Sequence, residues 1–379
     1  MKSKVRFLHI QHYDKKFFDV VLEEFKTDDR IENIPVVVAK NREEADEIAK
    51  EVDNAKIVYD RREIKSLLKS LDYDVVFFHT LTDDFWYILD SIPSEKTVIW
   101  WAWGFDIYSS VEFAHPFIPI DELRPKTRRL FKHRSNKLKQ LAVLIRNFYH
   151  ENKNYFCRHK VLSRFDYFQP VLQNEYELMK KYNPNFRAKE FYYPNSFGHC
   201  ERLKQKCPDE GNILLGNSAT YSNNHLDAWD YIEGKTGERQ ITILPINYGI
   251  SEYANLLTDK LKGHNNVRLI KEMMPRNEYF ALMGSCSYVV MGVIRQQAMG
   301  NIFQAVSTGA KLFLFRDSVV YQWLKAIGFK VFAIEDIDEQ SFKTALSLDD
   351  ANHNIEIFNN EELRRDKVLD GFFESWDKA

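Results

Sequence analysis

Short apolar runs recur along this chain in two series, separated by a long polar and basic interval. The first series is KVRFLHI (4–10), IPVVVA (34–39), KIVY (56–59), DVVFFHT (74–80) and KTVIWWAW (96–103). The second is NILLGN (212–217), QITILPIN (240–247), NVRLIKE (266–272), SYVVMG (287–292), KLFLFRD (311–317) and KVFAIED (330–336). Runs that are apolar at consecutive positions, and rich in β-branched and aromatic residues, predict strands buried on both faces of a parallel sheet. Between them the period turns helical. SEYANLLTDKLKGH opens on a serine cap and closes in a cationic turn, and PRNEYFALMGSC places proline at a helix start. Strand and helix alternating in two series predict an α/β protein of two Rossmann-like domains.

The interval 104–200 interrupts this rhythm and places a boundary near Pro194–Cys207. The expected organisation is a first domain over 1–195, a second over 208–350 and a helical segment over 351–379. That last segment is amphipathic, with Leu363, Val368, Leu369, Phe372, Phe373 and Trp376 mostly on one side.

Composition narrows the class. Hydrophobic residues at 44% and charged residues at 28% describe a folded globular protein. The four cysteines (157, 200, 207 and 286) form no CxxC and share no metal-ligand spacing with histidines, so reduced thiols in the cytosol are expected. The opening residues run straight into a strand, with no signal peptide, and no apolar stretch approaches membrane-spanning length. Membrane contact is therefore expected to be peripheral.

Net charge of −2 argues against a nucleic-acid partner but conceals a segregation. Between Arg124 and Arg164 there are 13 Lys and Arg residues against one acid, whereas from Glu335 onward there are 13 acids against five. The basic stretch interleaves cations with Leu130, Phe131, Leu138, Leu141, Leu144, Ile145 and Phe148. Such a mix suits an amphipathic segment on an anionic leaflet, with Arg128, Arg129, Lys132, Lys137 and Lys139 facing the membrane. A helix packed on its own domain is the plainer alternative.

The candidate chemistry gathers where predicted strands end. SYVVMG delivers the chain to Arg295-Gln296-Gln297, and a helix begins near Gly300-Asn301. Free N–H groups at a helix start favour phosphate, Gly300 permits close approach, and Arg295 can fork onto phosphate oxygens. Gln296 and Gln297 are donors suited to phosphate, ribose or an acyl group. A helix cap beside a surface arginine would give the same string. Gly216 permits a tight turn, after which Asn217 and Ser218 can donate to phosphate or sugar. Glu272 either holds a ribose hydroxyl or is a solvated carboxylate. In the first series, WWAWGFDIY leaves a buried strand with Gly104 as pivot. Asp106 is the first candidate for a general base and His79 the second, while Trp103 and Tyr108 offer faces to a sugar ring. A core tryptophan and a capping aspartate are the structural alternative. Asp336-x-Asp338 has the form of a metal-binding DxD but lies in an acidic loop, so no metal and no cofactor are expected.

Five motifs occur in order: His9; Phe78-His79 with Trp86; Trp103-Gly104-x-Asp106-x-Tyr108; Gly216-Asn217-Ser218 with Ser222-Asn223 and His225; and Arg295-Gln296-Gln297 with Gly300. Carrying these, the chain resembles the TDP-N-acetylfucosamine:lipid II N-acetylfucosaminyltransferase family of enterobacterial common antigen synthesis. The resemblance implies the GT-B fold: two facing Rossmann-like domains, with a last helix returning to the first. It implies a nucleotide-diphosphate sugar donor, a polyprenyl-diphosphate-linked saccharide acceptor, and a place on the cytoplasmic face of the inner membrane. The sugar implied is 4-acetamido-4,6-dideoxygalactose on dTDP, and Met273-Met274-Pro275, with Met274 the donor-binding candidate, then lies where such folds receive the base or else supplies two core methionines. Two alternatives stay open: a transferase using a UDP-sugar for capsule or O-antigen, and a non-catalytic nucleotide-sugar-binding subunit of a glycan assembly complex. No GxGxxG follows any predicted strand, which weakens a dehydrogenase reading.

Overall fold

A computed structural model describes residues 4–14, 18, 24–26, 28–52, 54–81, 85, 88–108, 116–134, 161–194 and 198–376. Its first sheet contains β1 (Val5–Gln11), β2 (Ile31–Val38), β3 (Lys56–Val58), β4 (Val75–His79), β5 (Thr97–Trp101), β6 (Tyr167–Gln169) and β7 (Lys189–Glu190). These lie side by side in the order β3-β2-β1-β4-β5-β6-β7. The second sheet contains β8 (Asn212–Leu215), β9 (Thr242–Pro245), β10 (Val267–Ile270), β11 (Cys286–Met291), β12 (Lys311–Leu314) and β13 (Phe332–Ala333), in the order β10-β9-β8-β11-β12-β13. All neighbouring strands are parallel.

Each expected apolar run overlaps one of these strands. β4 and β11 are buried at every position, which explains why their sequences are apolar without alternation. In each sheet the order turns back on itself, between β1 and β4 in the first and between β8 and β11 in the second. Crevices at such reversals, at the carboxyl ends of the strands, are where open α/β sheets receive ligands.

Local caps set several helix starts. Asn41 accepts from the Glu44 N–H at 2.9 Å, and Asp60 accepts from Arg62 N–H at 2.7 Å. Ser251, expected as a cap, is instead the first residue of its helix Ser251–Lys260, with Ile250 in the cap position. Pro275 is the cap of Arg276–Gly284 rather than its first helical residue.

Contacts divide the chain into two units: Met1–Pro119 with Ile145–Ser196, and Ile120–Leu144 with Phe197–Ala379. One division falls after Ser196. The segment from Ile120 does not follow the expected continuous first domain, and the reason is polar. Asp227 accepts from Lys126 N–H (2.8 Å), Thr127 N–H (2.9 Å) and the Thr127 hydroxyl (2.6 Å), so it caps the helix Pro125–Arg134 from another helix, His225–Ile232. The closing helices Leu348–Glu362 and Arg364–Trp376 likewise belong to the second unit instead of standing as a separate segment. Asn359 and Asn352 bind the backbone of Cys200 and Leu203 there.

Candidate active site

In the second unit the loops leaving β8 and β11 are knitted together. Gly216 turns with φ 70°, and a methyl group on it would fall on the His225 imidazole. Gly292 packs so closely that a methyl group would fall on the Asn223 carbonyl oxygen. Across this contact Ser222 donates to Gln297 Oε1 at 2.7 Å, and Gln297 Nε2 donates to Thr220 Oγ1 at 3.3 Å. Asn223 Nδ2 donates to Thr220 Oγ1 (2.7 Å) and Ser218 Oγ (3.2 Å), while its Oδ1 accepts from Asn217 N–H at 3.2 Å. The structure therefore unites the GNS and RQQ stretches in one hydrogen-bonded crevice.

Several polar groups in that crevice are left to bind. Asn217 Oδ1 is buried without a partner among the described residues. Gln296 is 8% exposed, and its amide side chain also has none among them. The helix Met299–Ser307 starts from Ala298, which sits at φ 58° and supplies no side-chain cap. The N–H groups of Met299 and Gly300 thus lack acceptors among the described residues, whereas the Asn301 N–H turns back to Ala298 O at 2.9 Å. A methyl group on Gly300 would meet nothing within 4 Å. An uncapped helix start with open space before it is suited to a phosphate.

Arg295 departs from expectation. Its Nε donates to Glu122 Oε2 at 2.8 Å, and Nη1 donates to Gln296 O at 2.7 Å, with both charged side chains largely buried. Instead of presenting its fork to a phosphate, Arg295 anchors the segment that precedes Pro125–Arg134. Asn224, at φ 47°, holds the same segment by donating to Glu122 O (2.9 Å) and Gly292 O (2.8 Å) and accepting from Arg124 N–H (2.8 Å). Glu122 lies 173 residues before Arg295, and nothing local in the sequence announces the pair.

At the end of β10, Glu272 is exposed and Met274 half-buried, while Met273 is 70% exposed. It is Met273 whose sulfur meets Asn247 Nδ2, at 3.3 Å. Tyr248, also exposed, accepts from Asn217 Nδ2 at 3.0 Å. The methionine presented beside the crevice is thus Met273 rather than Met274.

The first unit has a different crevice. Asp106 is buried, and its Oδ2 accepts from Leu81 N–H (3.0 Å) and Trp100 Nε1 (2.8 Å), its Oδ1 from Trp103 N–H (2.9 Å). Burial raises its pKa against those hydrogen bonds. Held by three donors, it clamps the ends of β4 and β5 and loses the open lone pairs expected of a first-choice base. Gly104 has φ 85°, as a pivot should. Tyr108 is 1% exposed and donates to Glu175 Oε1 at 2.5 Å, so it is a core residue and offers no face to a sugar. Trp103 is half-buried. His79 Nε2 meets His9 Nδ1 at 2.9 Å, and His9 Nε2 meets Asn33 Oδ1 at 3.0 Å. Burial lowers the His9 pKa to about 4; burial and then the neighbouring His9 lower that of His79 well below its ordinary value. Trp86 lies outside the described residues.

The described part of the basic stretch also differs from expectation. Leu130 and Phe131 pack on the core of the second unit, with the Phe131 ring 5.3 Å from Tyr221. The apolar side of Pro125–Arg134 is therefore spent on the protein itself, not on a leaflet. Arg128 pairs with Asp121, and Arg129 is exposed. The side chain of Lys132, and Lys137 and Lys139 entirely, lie outside the described residues. Among the described residues no helix is long and apolar enough to cross a membrane. Asp336 pairs with Arg316 at 2.5 Å, and Asp338 accepts from Ser341 Oγ at 2.8 Å.

A family model described as 4-alpha-L-fucosyltransferase, glycosyl transferase group 56, matches residues 168–362, just over half of the chain. Among solved structures, the lipopolysaccharide outer core galactosyltransferase WaaB in its apo form is similar with a TM-score of 0.60 and 10% identity, over 95% of this chain and 99% of that one. A trehalose-6-phosphate structure from E. coli bound with UDP-2-fluoro glucose is similar with a TM-score of 0.55 and 11% identity, over 98% of each chain. A UDP-N-acetylglucosamine 2-epimerase has a TM-score of 0.51 and 14% identity, over 100% of this chain and 97% of that one. Identities this low establish the fold, which is GT-B. A fold shared by transferases and an epimerase does not choose the chemistry.

Proposed function

The chain belongs to the 4-alpha-L-fucosyltransferase family, glycosyl transferase group 56, and from that premise we propose that it moves a deoxy-amino sugar from a dTDP donor onto a lipid-linked saccharide. That it is a nucleotide-sugar-dependent glycosyltransferase follows from the family. The sugar proposed is 4-acetamido-4,6-dideoxygalactose, and the acceptor a polyprenyl-diphosphate-linked saccharide at an anionic, cytoplasm-facing membrane surface.

One observation carries the donor assignment: the crevice of the second unit combines an uncapped helix start, open space at Gly300 and the unpartnered amide of Gln296. The diphosphate would lie against the N–H groups of Met299 and Gly300, with Gln296 and Asn217 on the ribose or the sugar. Preorganised donors of this kind stabilise the negative charge that grows as the diphosphate departs. Tyr248 and Met273 would flank the base. Gln297, Ser218 and Asn301 support the crevice from behind, and Glu272 stands exposed beside it. The acceptor is assigned to the first unit, with half-buried Trp103, whose backbone N–H donates to Asp106, as its aromatic contact. The segregated basic charge after Arg124 supports attraction to an anionic surface.

Thermal melting tests the donor reading. dTDP at about 100 times its dissociation constant should add about 2.7 kcal/mol to stability, seen as a raised Tm. Gln296→Leu should abolish that shift while leaving the ligand-free Tm unchanged. A shift with UDP and not dTDP would move the donor to the UDP-sugar alternative. No shift with either diphosphate would overturn the site.

A further inference from the structure

Three side chains at the crevice of the first unit form a chain with a readable direction. Asn33 Oδ1 can only accept, so the His9 nitrogen facing it at 3.0 Å, Nε2, carries a proton. His9 is held neutral by burial, so its Nδ1 bears a lone pair. That lone pair faces His79 Nε2 at 2.9 Å, which must therefore be the protonated nitrogen of His79. His79 is neutral as well, and its remaining nitrogen, Nδ1, is left bare. That atom is buried and has no hydrogen-bond partner among the described residues.

Packing holds the chain in place. The His9 ring stacks on Phe77 at 5.2 Å and on Phe25 at 5.8 Å, and His79 lies 5.1 Å from the Trp101 ring. A buried acceptor without a donor costs about 1–3 kcal/mol, so its presence asks for a reason. Two more unpartnered atoms lie beside it in the chain or the sheet. Thr80 follows His79 at φ 76° with its hydroxyl unpaired. Gln11, one position beyond the Ile10–Phe78 pair that ends the β1–β4 register, has an unpaired Nε2. A donor amide and a bare imidazole nitrogen on adjoining strand ends complement one hydroxyl group, which needs a donor for its oxygen and an acceptor for its proton.

We infer that the Asn33–His9–His79 chain sets His79 as the proton acceptor for the incoming saccharide hydroxyl, with Gln11 holding the oxygen. This rests on the transferase reading above. The hydroxyl oxygen bonds to the anomeric carbon of the donor sugar, and the bond from that carbon to the diphosphate breaks. Its electron pair leaves with the diphosphate, and the hydroxyl proton goes to His79 Nδ1. The Nε2 proton of His79 can then pass to His9, where Asn33 accepts from the resulting imidazolium. His9 and Asn33 are positioning residues, since they act through His79. In the ligand-free chain the catalytic hydrogen bond need not be formed for the assignment to hold.

Two measurements on the full chain test this. The first is the tautomer of His79, read from long-range proton–nitrogen correlations of the ¹⁵N-histidine-labelled protein and assigned with His79→Gln and His9→Gln. An unprotonated Nδ1 is expected; a proton on Nδ1 overturns the inference without reference to any activity. The second is transfer from a dTDP-sugar to a polyprenyl-diphosphate-linked disaccharide. His79→Gln should lower kcat by roughly 10²–10⁴-fold, the usual contribution of a positioned base, with the dTDP melting shift unchanged. Asn33→Leu should lower kcat while KM holds, and Asn33→Asp, which keeps an acceptor for His9, should restore most of it. A His79→Gln variant with turnover within threefold of the parent would also overturn the inference. Absence of transfer by the parent chain is a separate result: it counts against the transferase assignment of donor and acceptor, and the tautomer then decides the histidine chain alone.

Discussion

The two crevices share a topology and little else. Both lie where a parallel sheet reverses its strand order, beside β1 and β4 in the first unit and beside β8 and β11 in the second. The first is walled by Phe25, Phe77 and Trp101 and contains two neutral histidines. The second is lined by Asn217, Ser218, Thr220, Ser222 and Gln297, and ends at a helix start with no side-chain cap. An apolar enclosure keeps an imidazole uncharged, with one ring nitrogen unprotonated, and weakens it as a base. A lattice of amides and free N–H groups offers partial positive charge that needs no counterion. The same strand order thus presents two neutral histidines in one unit and a helix start without a side-chain cap in the other. Charge within each unit follows suit: Asp106 and Glu175, buried in the first, are pushed toward their neutral forms, whereas Glu122, buried beside the second crevice, is ion-paired.

The largest effect should come from breaking that ion pair. Arg295→Ala would take the paired guanidinium from the buried Glu122 carboxylate, and removing one member of a buried pair costs about 3–5 kcal/mol. Urea unfolding of the variant should show that loss. Replacing both residues, by Arg295→Met with Glu122→Leu, should recover most of it, because the uncompensated charge is gone. A loss below about 1 kcal/mol in Arg295→Ala would instead mean an exposed-type pair, leaving the guanidinium available to phosphate, as its place after a strand end suggests. For this reason Arg295→Ala alone cannot report on donor binding, and Gln296 is the better probe.

Next in size is the neutral acid of the first unit. Burial raises the pKa of Glu175 from 4.5 to about 7, opposed by the Tyr108 hydroxyl and the Leu172 N–H. Between those values the folded chain binds a proton that the unfolded chain has released. Stability therefore falls as pH rises from 4.5 to about 7 and levels off above. Each pH unit of that window is worth about 1.4 kcal/mol, so the loss approaches roughly 3 kcal/mol. Glu175→Gln mimics the protonated acid, with its oxygen for Leu172 and its NH₂ for Tyr108. It should match the parent at pH 4.5 and be more stable at pH 8 by up to that amount. Denaturant midpoints at the two pH values check this, and equal slopes in parent and variant would show that Glu175 is charged in the folded chain.

How much of this was legible beforehand depended on the range of the interactions. Strands such as VVFFH and SYVVMG were readable because burial on both faces makes them continuously apolar. β6 and β7, at three and two residues, are too short for any period, and Lys189 and Glu190 of β7 are exposed. The crevice motifs were legible as polar residues at strand ends. Their partners were not: Glu122 for Arg295, Asp227 for the helix Pro125–Arg134 and Glu175 for Tyr108 each lie 67 or more residues away. Cations next to leucines read equally well as a membrane face or as a docked helix. The packing of Leu130 and Phe131 on the second unit's core chose for that helix. Asn33 carries no signal at all until the β1–β2 register sets it near His9.

The smallest effect concerns Ala298. Among the described residues three non-glycine residues have positive φ (Thr80, Asn224 and Ala298), and all three lie at the two crevices. Left-handed backbone costs an L-residue with a Cβ roughly 1–2 kcal/mol, and alanine has no side-chain polar group with which to offset it. Ala298→Gly should therefore stabilise the ligand-free chain, by about 1 kcal/mol once the greater freedom of glycine in the unfolded chain is allowed for. The same freedom acts on the crevice. Ala298 aims the first turn of Met299–Ser307, and a glycine there lets the free N–H groups of Met299 and Gly300 sample other directions. dTDP binding should weaken by a few-fold, while Tm rises. Calorimetric titration beside the melting curve separates the two effects. A rise in Tm with unchanged affinity would mean that the helix is held by its packing alone, through Ile302, Ala305 and Val306, and that the strain at its start serves the fold and not the phosphate. Weaker binding with the rise would place the strain at the ligand, where a rigid turn keeps the donors aligned before the diphosphate arrives.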